Sequence, residues 1–191
     1  MNVAQEKRLV ERVTAGNQGA FRNLIESYKN LVSHIIYRNI FNEADREDLC
    51  QEVFLKVFEN LSRFQFQSKL STWIAKITYN ACINYLEKKK VPLFDDFSPE
   101  DFTLDDFSGS LPSPAHNVES DDMMSRLTIL IQKLPIRYRT ILTLFHLHDM
   151  RYAEIGEVLE LPEGTVKNYL FRARKILKEM VMSQYKEEEL W

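Results

Sequence analysis

One stretch near the carboxyl end, Met150–Lys178, constrains the fold of this chain more than any other feature. Apolar residues recur at helical spacing through its first half: Tyr152, Ile155, Val158 and Leu159. A Pro and a Gly interrupt that helix within residues 160–164, and the helix that follows contains no acid from Thr165 to Lys178. Two short helices around a tight turn, the second with a basic face, indicate a helix-turn-helix unit, whose second helix enters the major groove of DNA.

The remaining sequence is also helical in pattern. Only five Gly and six Pro occur among 191 residues, and most of them fall where helices should stop. The clearest periodic run predicts a helix from about Gln18 to Ile40. The next predicted helix opens with acids within residues 45–48 and buries one stripe of side chains: Leu49, Val53, Val57 and Leu61. The sequence therefore predicts an all-α protein with two helical domains, at residues 1–90 and 121–182.

Charge is distributed unevenly along the chain, although the net charge is only −3. Residues 1–90 hold 14 Lys/Arg against 10 Asp/Glu, residues 91–122 hold none against nine, and residues 123–191 hold 11 against nine. The acidic block carries four Pro and four Phe among its acids. We therefore predict an extended linker over residues 91–120, suited to lie along a basic channel of a partner, and an acidic tail at residues 183–191.

Several protein classes do not fit this sequence. Cys50 and Cys82 stand without a CxxC pattern or a matching His pair, which argues against a disulfide framework and against a zinc site. The sequence has no Gly-rich phosphate loop, HExxH motif or nucleophile elbow, so we expect no catalytic residues, no cofactor and no metal. No stretch approaches the roughly 18 apolar residues of a membrane span, and we expect a cytoplasmic protein without membrane insertion.

The segment Leu61–Lys90 combines aromatic rings with positive charge, holding six bases against one acid. Phe64, Phe66, Trp73 and Tyr79 are interleaved with these bases. This combination is typical of single-stranded nucleic acid binding, because phosphates attract the charges and unpaired bases stack on the rings. Trp73 taken alone is better explained as a core residue, and the lysines at the end of the segment as a solvated helix end.

The third predicted helix has a second face beside its buried stripe. This face is both apolar and acidic and consists of Asp48, Gln51, Glu52, Phe54, Leu55 and Phe58. It is either a wide core-facing surface, an explanation at least as good for Phe54, or an exposed docking surface for a protein partner.

Three segments stand in a specific order along the chain. Asp45–Lys56 reads DREDLCQEVFLK, Leu70–Asn80 reads LSTWIAKITYN, and Leu134–Arg139 precedes the helix-turn-helix segment Gly164–Arg174. Together they resemble regions 2.2, 2.3 to 2.4 and 4 of bacterial sigma factors of the extracytoplasmic-function (ECF) group, within the sigma-70 class. A helix-turn-helix alone is common, but the three segments in this order are specific, and the resemblance covers nearly the whole chain.

The resemblance implies a subunit, not an enzyme, that directs core RNA polymerase to promoters and helps to melt them. It assigns docking on a polymerase coiled coil to Asp48, Gln51, Glu52, Leu55 and Phe58. It assigns −10 recognition to Phe64, Phe66, Lys69, Trp73, Lys76, Asn80, Asn84, Lys88, Lys89 and Lys90, with the loop from Phe64 to Lys69 holding a flipped-out base. It assigns −35 recognition to Arg151, Thr165, Lys167, Asn168, Phe171, Arg172, Arg174 and Lys175. It also implies an anti-sigma factor that masks these surfaces.

Within the −35 set, base edges and the DNA backbone require different side chains. Guanine edges suit Lys167 or Arg172, and adenine suits Asn168. The other basic residues are expected to position the backbone: Arg151, Arg174 and Lys175. Glu160 departs from the family pattern, which often has Gly at this turn. Because Glu with a positive φ is uncommon, the turn is either built differently here or strained.

The competing interpretation is a helix-turn-helix regulator that does not act by docking on core polymerase, such as a two-component or quorum-type regulator. Such a protein would carry a receiver or ligand domain, usually with strands, whereas residues 1–90 are helical in pattern throughout. If the acidic linker lies along a basic channel of a partner, as its composition suggests, deleting residues 95–106 should impair transcription initiation.

Overall fold

The computed structural model describes residues 3–90 and 123–188, and the regular structure of these residues is helical throughout. They form α1 (Val3–Thr14), α2 (Gln18–Asn39), α3 (Glu43–Asn60), α4 (Leu70–Lys88), α5 (Met123–Lys133), α6 (Ile136–His148), α7 (Tyr152–Leu159) and α8 (Glu163–Glu188). No helix among the described residues is long and apolar enough to cross a bilayer. The predicted linker over residues 91–120 lies outside the described residues. So do the last residues of the predicted tail, whose first part continues α8.

The helix α2 organises the first helical group, as its periodicity predicts. Its buried side chains include Leu24, Tyr28, Leu31, Val32, Ile35 and Ile36. Asn17 caps the start of α2 by accepting a hydrogen bond from the Ala20 N–H at 2.8 Å, which satisfies one of the unpaired donors of the first turn. Because α2 packs against α1, α3 and α4, one apolar stripe holds all four helices together.

The helix α3 also follows its prediction, except that it begins earlier. Its capping residue is Asn42, before the acids with which the helix was expected to open. Asn42 accepts a hydrogen bond from the Asp45 N–H at 3.1 Å, so the helix begins before the acidic run. The predicted stripe of Leu49, Val53, Val57 and Leu61 is at most 4% exposed at any position. A short 3-10 turn, Leu61–Arg63, ends the helix and leads into the loop before α4.

The second helical group consists of α5 to α8, and α6 is buried on most of its circumference. Its buried residues run almost without interruption from Ile136 to Leu144. The cause is packing on two sides: α6 contacts α7 and α8 of its own group and α2 of the first group. A helix covered on both sides does not need the one-sided stripe of a surface helix. The two groups therefore share an apolar boundary, which α4 and α7 extend.

The turn between α7 and α8 is tight and depends on two backbone positions. Glu160 has φ 56° and ψ 43°, in the left-handed region, so the turn keeps the geometry that favours Gly and carries the strain of a Glu there. The Leu161 N–H donates to the Gly156 carbonyl at 3.0 Å. A Cβ at Gly156 would lie 2.6 Å from the Leu161 carbonyl oxygen, so only Gly allows this approach.

Candidate nucleic-acid interface

The helix α8 presents one solvent-facing side along its first turns. Asn168, Phe171 and Lys175 are three and four residues apart, so they lie on the same face. All three are exposed, and Phe171 is 68% exposed. The opposite face is buried through Val166, Leu170 and Ala173. An exposed ring between an amide and an ammonium group can contact the thymine methyl group and the edges of neighbouring bases in a major groove.

Two basic side chains, Lys167 and Arg174, flank this face, and each forms a polar contact with another residue of the second group. Lys167 Nζ lies 2.9 Å from Glu163 Oε1, and this hydrogen bond raises the pKa of Lys167. Arg174 Nε lies 3.2 Å from His146 Nε2, and the guanidinium lies 5.0 Å from the centre of the Phe145 ring. These contacts face solvent, where such pairs contribute little to stability. DNA phosphates can therefore replace them.

Thr165 and Arg172 lie at the edge of the same face and are half-buried. Burial raises the pKa of Tyr138 on α6, and a hydrogen bond with Arg172 opposes that rise. Arg172 therefore uses part of its hydrogen-bonding capacity to hold α8 against α6. Its side chain is less available to DNA than those of Asn168 and Lys175, although the predicted guanine contact stays a prediction.

Three aromatic residues at the start of α4 form a cluster of tilted rings, of which one is exposed. The Phe64 ring centre lies 4.7 Å from that of Phe66 and 5.2 Å from that of Trp73. Phe64 is 8% exposed, Trp73 is half-buried and Phe66 is 38% exposed. Phe66 also has φ 55°, a left-handed backbone conformation that is rare for a bulky residue. Phe66 is thus the most accessible of the three rings, and Phe64 packs against both Phe66 and Trp73.

Polar side chains run in a line along α4. Lys76, Asn80, Asn84 and Lys88 follow one another at four-residue spacing, so they lie along one side of the helix. Asn80, Asn84 and Lys88 are exposed, and Lys76 is partly exposed. Two amides between two lysines offer donors and acceptors for bases between two contacts for phosphates. We call this line, together with Phe66 and Lys69, the α4 surface.

Lys88, Lys89 and Lys90 at the end of α4 are all exposed but do not have the same surroundings. Lys89 Nζ lies 3.8 Å from Asp45 Oδ2 of α3. Tyr85 donates to the same carboxylate oxygen at 2.5 Å, and burial together with this hydrogen bond raises the pKa of Tyr85 to about 12. Lys89 is consequently tied to α3 more closely than the sequence pattern indicates.

Two lysines of the α4 surface pair with carboxylates of the second helical group. Lys69 Nζ lies 2.7 Å from Glu154 Oε1, and Lys76 Nζ lies 2.8 Å from Glu160 Oε1. The other Glu154 oxygen accepts from the Arg151 N–H at 2.8 Å. Partial burial tends to raise the pKa of Glu154, but these hydrogen bonds outweigh it and lower the pKa. Sequence reasoning missed both pairings, because no local pattern links residues so far apart in the chain: it did not single out Glu154, and it singled out Glu160 only for its backbone conformation.

The sequence left two explanations for the second face of α3, a wide core-facing surface or an exposed docking surface. In the structure most of this face is exposed. Leu55 is 60% exposed and Phe58 is 46% exposed, whereas Phe54 packs half-buried against the core. The Phe58 ring lies against Phe21, 4.9 Å between ring centres, which fixes its position. Three polar residues of the face are also exposed: Asp48, Gln51 and Glu52. The arrangement is an apolar patch with an acidic border, as a docking surface for a protein requires.

These features are typical of one class, helical DNA-binding proteins: a helix-turn-helix, a second basic and aromatic surface, and an exposed apolar face with an acidic border. Two family descriptions match the chain, "Sigma-70 region 2" over residues 24–91 and "Sigma-70, region 4" over residues 125–177. The chain is similar to "ECF RNA polymerase sigma factor SigW" of Bacillus subtilis, 32% identical over 181 residues that cover 92% of this chain and 96% of that protein. The chain belongs to the ECF RNA polymerase sigma factors of the sigma-70 class.

Two solved structures share the fold. CnrH in complex with the cytosolic domain of CnrY superimposes with a TM-score of 0.67 at 18% identity, covering 93% of this chain and 97% of that chain. The sigma factor RpoE in complex with the anti-sigma factor NepR from Bartonella quintana gives a TM-score of 0.64 at 19% identity, covering 85% and 96%. At these identities the likeness concerns the fold alone. As an ECF sigma factor, the protein binds core RNA polymerase and directs promoter-specific initiation.

Proposed function

We propose that the two helical groups divide the work of a sigma factor. Residues 1–90 dock on core polymerase and read and melt the −10 element, and residues 121–182 read the −35 element. Residues 91–120 join them. The observation that carries this proposal is the α4 surface: two amides and two lysines in one line, with the exposed Phe66 ring near its start. The protein acts by binding and positioning, with no chemical step of its own.

At the −10 element, the α4 surface would hold the strand that melting releases. Phe66 stacks on a base that has left the duplex, because an unpaired base exposes a face that a ring can cover. Asn80 and Asn84 contact base edges, and Lys76 and Lys88 contact phosphates. Phe64 and Trp73 contribute by holding Phe66 in place, since both are more buried than Phe66.

At the −35 element, α8 would enter the major groove with Asn168, Phe171 and Lys175 facing the bases and the nearer phosphates. Lys167 and Arg174 would exchange their solvent-exposed partners for phosphates or guanine edges. The smaller exposure of Arg172 favours Lys167 as the guanine-reading residue. Arg151, exposed at the start of α7, is placed for a backbone contact.

A regulator that covers these surfaces is part of the proposal. The neighbouring structure of RpoE is a complex with an anti-sigma factor, and its sigma chain shares this fold. We propose that an anti-sigma factor binds this protein as well, and that the protein works in the cytoplasm, where bacterial polymerase and DNA are found.

The docking face of α3 supplies the direct test. Leu55→Asp places a charge in the exposed apolar patch and should weaken binding to core polymerase at least about tenfold, the usual cost of removing a central contact. Met182→Asp is the matched control, because Met182 is 51% exposed on α8, away from the patch. Binding is measured by fluorescence anisotropy and initiation by run-off transcription, on promoters selected from a random DNA library. Equal core affinity for the two variants would refute docking through α3.

A further inference from the structure

Two aromatic rings of the second group join two cations of α8 into one array. The Phe145 and Tyr152 rings are stacked, with 5.3 Å between their centres and 12° between their planes. Lys167 Nζ lies 5.4 Å from the centre of the Tyr152 ring, and the Arg174 guanidinium carbon lies 5.0 Å from that of Phe145. We call these four residues the ring–cation array. Because Phe145 belongs to α6 and Tyr152 to α7, the array ties both helices to α8.

The rings of the array are themselves held in place by the protein. Phe145 and Tyr152 are half-buried and pack against the core. The His146 ring lies edge-on to Phe145, 5.1 Å between centres, and its Nε2 accepts a hydrogen bond from Arg174 Nε at 3.2 Å. Arg174 therefore has two different contacts, a ring face and a ring nitrogen, and together they fix the orientation of its guanidinium plane.

A ring and a carboxylate are different partners for a cation that binds DNA. The Glu163 carboxylate neutralises Lys167 and repels an approaching phosphate, so it must be displaced when DNA binds. An aromatic ring has no net charge and attracts a cation through the negative face of its π-system, so it does not repel the phosphate in the same way. Lys167 and Arg174 can therefore keep their rings in the complex with DNA.

The two cations of the array lie on either side of the residues that face the bases. Lys167 and Arg174 are seven residues apart, or about 10 Å along α8 at about 1.5 Å per residue. The exposed Asn168 and Phe171 lie between them. Phosphate contacts set the register and orientation of a recognition helix, and base contacts read the sequence. Order in these two cations therefore determines how the base-facing residues sit in the groove.

We propose that Phe145 and Tyr152 are positioning residues for −35 recognition, which order Arg174 and Lys167 before DNA binds and keep them ordered afterwards. The rings act through the cations and do not touch the DNA. This inference rests on the proposed role of α8 at the −35 element. Ordering one long side chain on binding costs roughly a factor of 2 to 10 in affinity, and the array removes this cost for two of them.

Side-chain NMR relaxation in the free full-length protein measures the ordering directly. The order parameter of the Arg174 Nε–H bond should approach that of a rigid backbone, about 0.85, and Phe145→Leu should lower it toward the flexible range below about 0.6. Arg22, exposed on α2, is the internal reference and should be flexible in both proteins. An Arg174 side chain as mobile as Arg22 in the wild type would overturn the proposal. An Arg174 that stays rigid in Phe145→Leu would assign its order to His146 and overturn the role of the ring.

Binding by the reconstituted holoenzyme distinguishes a positioning ring from one that contacts DNA. Tyr152→Leu and Phe145→Leu should each weaken binding to a duplex −35 probe about fivefold, whereas Tyr152→Phe, which keeps the ring, should bind like the wild type. The log–log salt slope should not change in the Leu variants, because every cation remains, but Arg174→Ala should make it less steep by about 0.9. Affinity for a single-stranded −10 probe should be the same in all of them. Circular dichroism and urea denaturation check that each variant folds.

The outcomes separate this inference from the proposed function. Weak binding by Tyr152→Phe would mean that DNA contacts the hydroxyl group, and wild-type binding by both folded Leu variants would mean that the rings do not order the cations. Either result overturns the inference and leaves the proposed function standing. If Tyr152→Leu does not fold, Phe145→Leu and the NMR comparison decide. If Asn168→Ala and Arg174→Ala leave −35 binding unchanged, the proposed role of α8 is wrong, and the inference fails with it.

Discussion

The α4 surface and the exposed face of α8 both present lysines for DNA, yet the acidic partners of these lysines come from different parts of the molecule. On α8, Lys167 pairs with Glu163 and Lys175 with Glu179, each at four-residue spacing within one helix. On the α4 surface, Lys69 and Lys76 have partners from the other helical group. Pairs within a helix persist whatever the groups do, so they can only adjust affinity by a fixed amount. Pairs between groups depend on the arrangement of the groups, so they can switch affinity.

The largest effect should come from the turn that supports α8. Gly156→Ala places a Cβ 2.6 Å from a backbone oxygen, which cannot move away as a side chain could. We expect a loss of about 3 kcal/mol in unfolding free energy, the upper range for overpacking. Duplex −35 binding should be lost, and −10 binding by the holoenzyme kept. Urea denaturation and anisotropy with separate −35 and −10 probes would measure these effects.

Gly164→Ala is the control for this experiment, since no atom lies within 4 Å of its added Cβ. It should leave stability unchanged or raise it by up to about 1 kcal/mol, because Ala is favoured over Gly in a helix. Equal stabilities of the two variants would show that the close approach of Gly156 to Leu161 does not hold the turn.

A crossed pair of ring removals should separate the two surfaces with a smaller effect. In the holoenzyme, Phe66→Ala should cost about 1–2 kcal/mol in binding to a single-stranded −10 probe, the loss of one stacked base. Phe171→Ala should weaken only the −35 duplex probe. Filter binding with each probe distinguishes them. A loss of −35 affinity in Phe66→Ala, or of −10 affinity in Phe171→Ala, would contradict the division of labour.

The smallest expected effect is a dependence on pH of the packing between the two helical groups, in which 'closed' means packed together and 'open' means separated. His34 Nδ1 lies 3.2 Å from His148 Nε2 across the boundary between the groups. Burial and the nearby Arg38 lower the pKa of His34. Burial and His34 lower that of His148, against the opposing charge of Asp149. The closed state therefore binds fewer protons than the open one.

Its stability is accordingly complete above the ordinary His pKa of about 6.5 and declines as pH falls through that value toward the lowered ones. Small-angle scattering should show a larger radius of gyration at about pH 5.5 than at about pH 8, on either side of the histidine titration. His34→Gln should reduce the dependence to the part that burial of His148 contributes, and His146→Gln, whose ring contacts Arg174 within the second group, should retain it in full. A radius that does not change with pH in the wild type would contradict this role of the histidine pair.

Local patterns in the sequence predicted local structure well. The stripes of α2 and α3, the helix-turn-helix and the exposed side of α8 follow from periodicity, because each depends on neighbours within one or two turns. For the turn at Glu160 the sequence left two alternatives, a different build or a strained left-handed residue, and the structure shows the second.

Properties that depend on packing between distant segments were not predictable. The sequence treats Phe64 and Phe66 alike, but only the structure shows that one supports the other. Likewise, nothing in the sequence pairs Glu154 with Lys69 or Glu160 with Lys76 until α7 is placed against α4. Which rings and charges face solvent is decided by these tertiary contacts.

The conformation of Glu160 has a consequence for how the protein can change by mutation. Gly would adopt the left-handed turn more easily, so the single substitution Glu160→Gly would improve the backbone and remove the carboxylate that faces Lys76. Stability and restraint therefore oppose each other at one residue. Selection for a higher melting temperature alone would favour this substitution and, with it, the loss of an ion pair that joins the two helical groups.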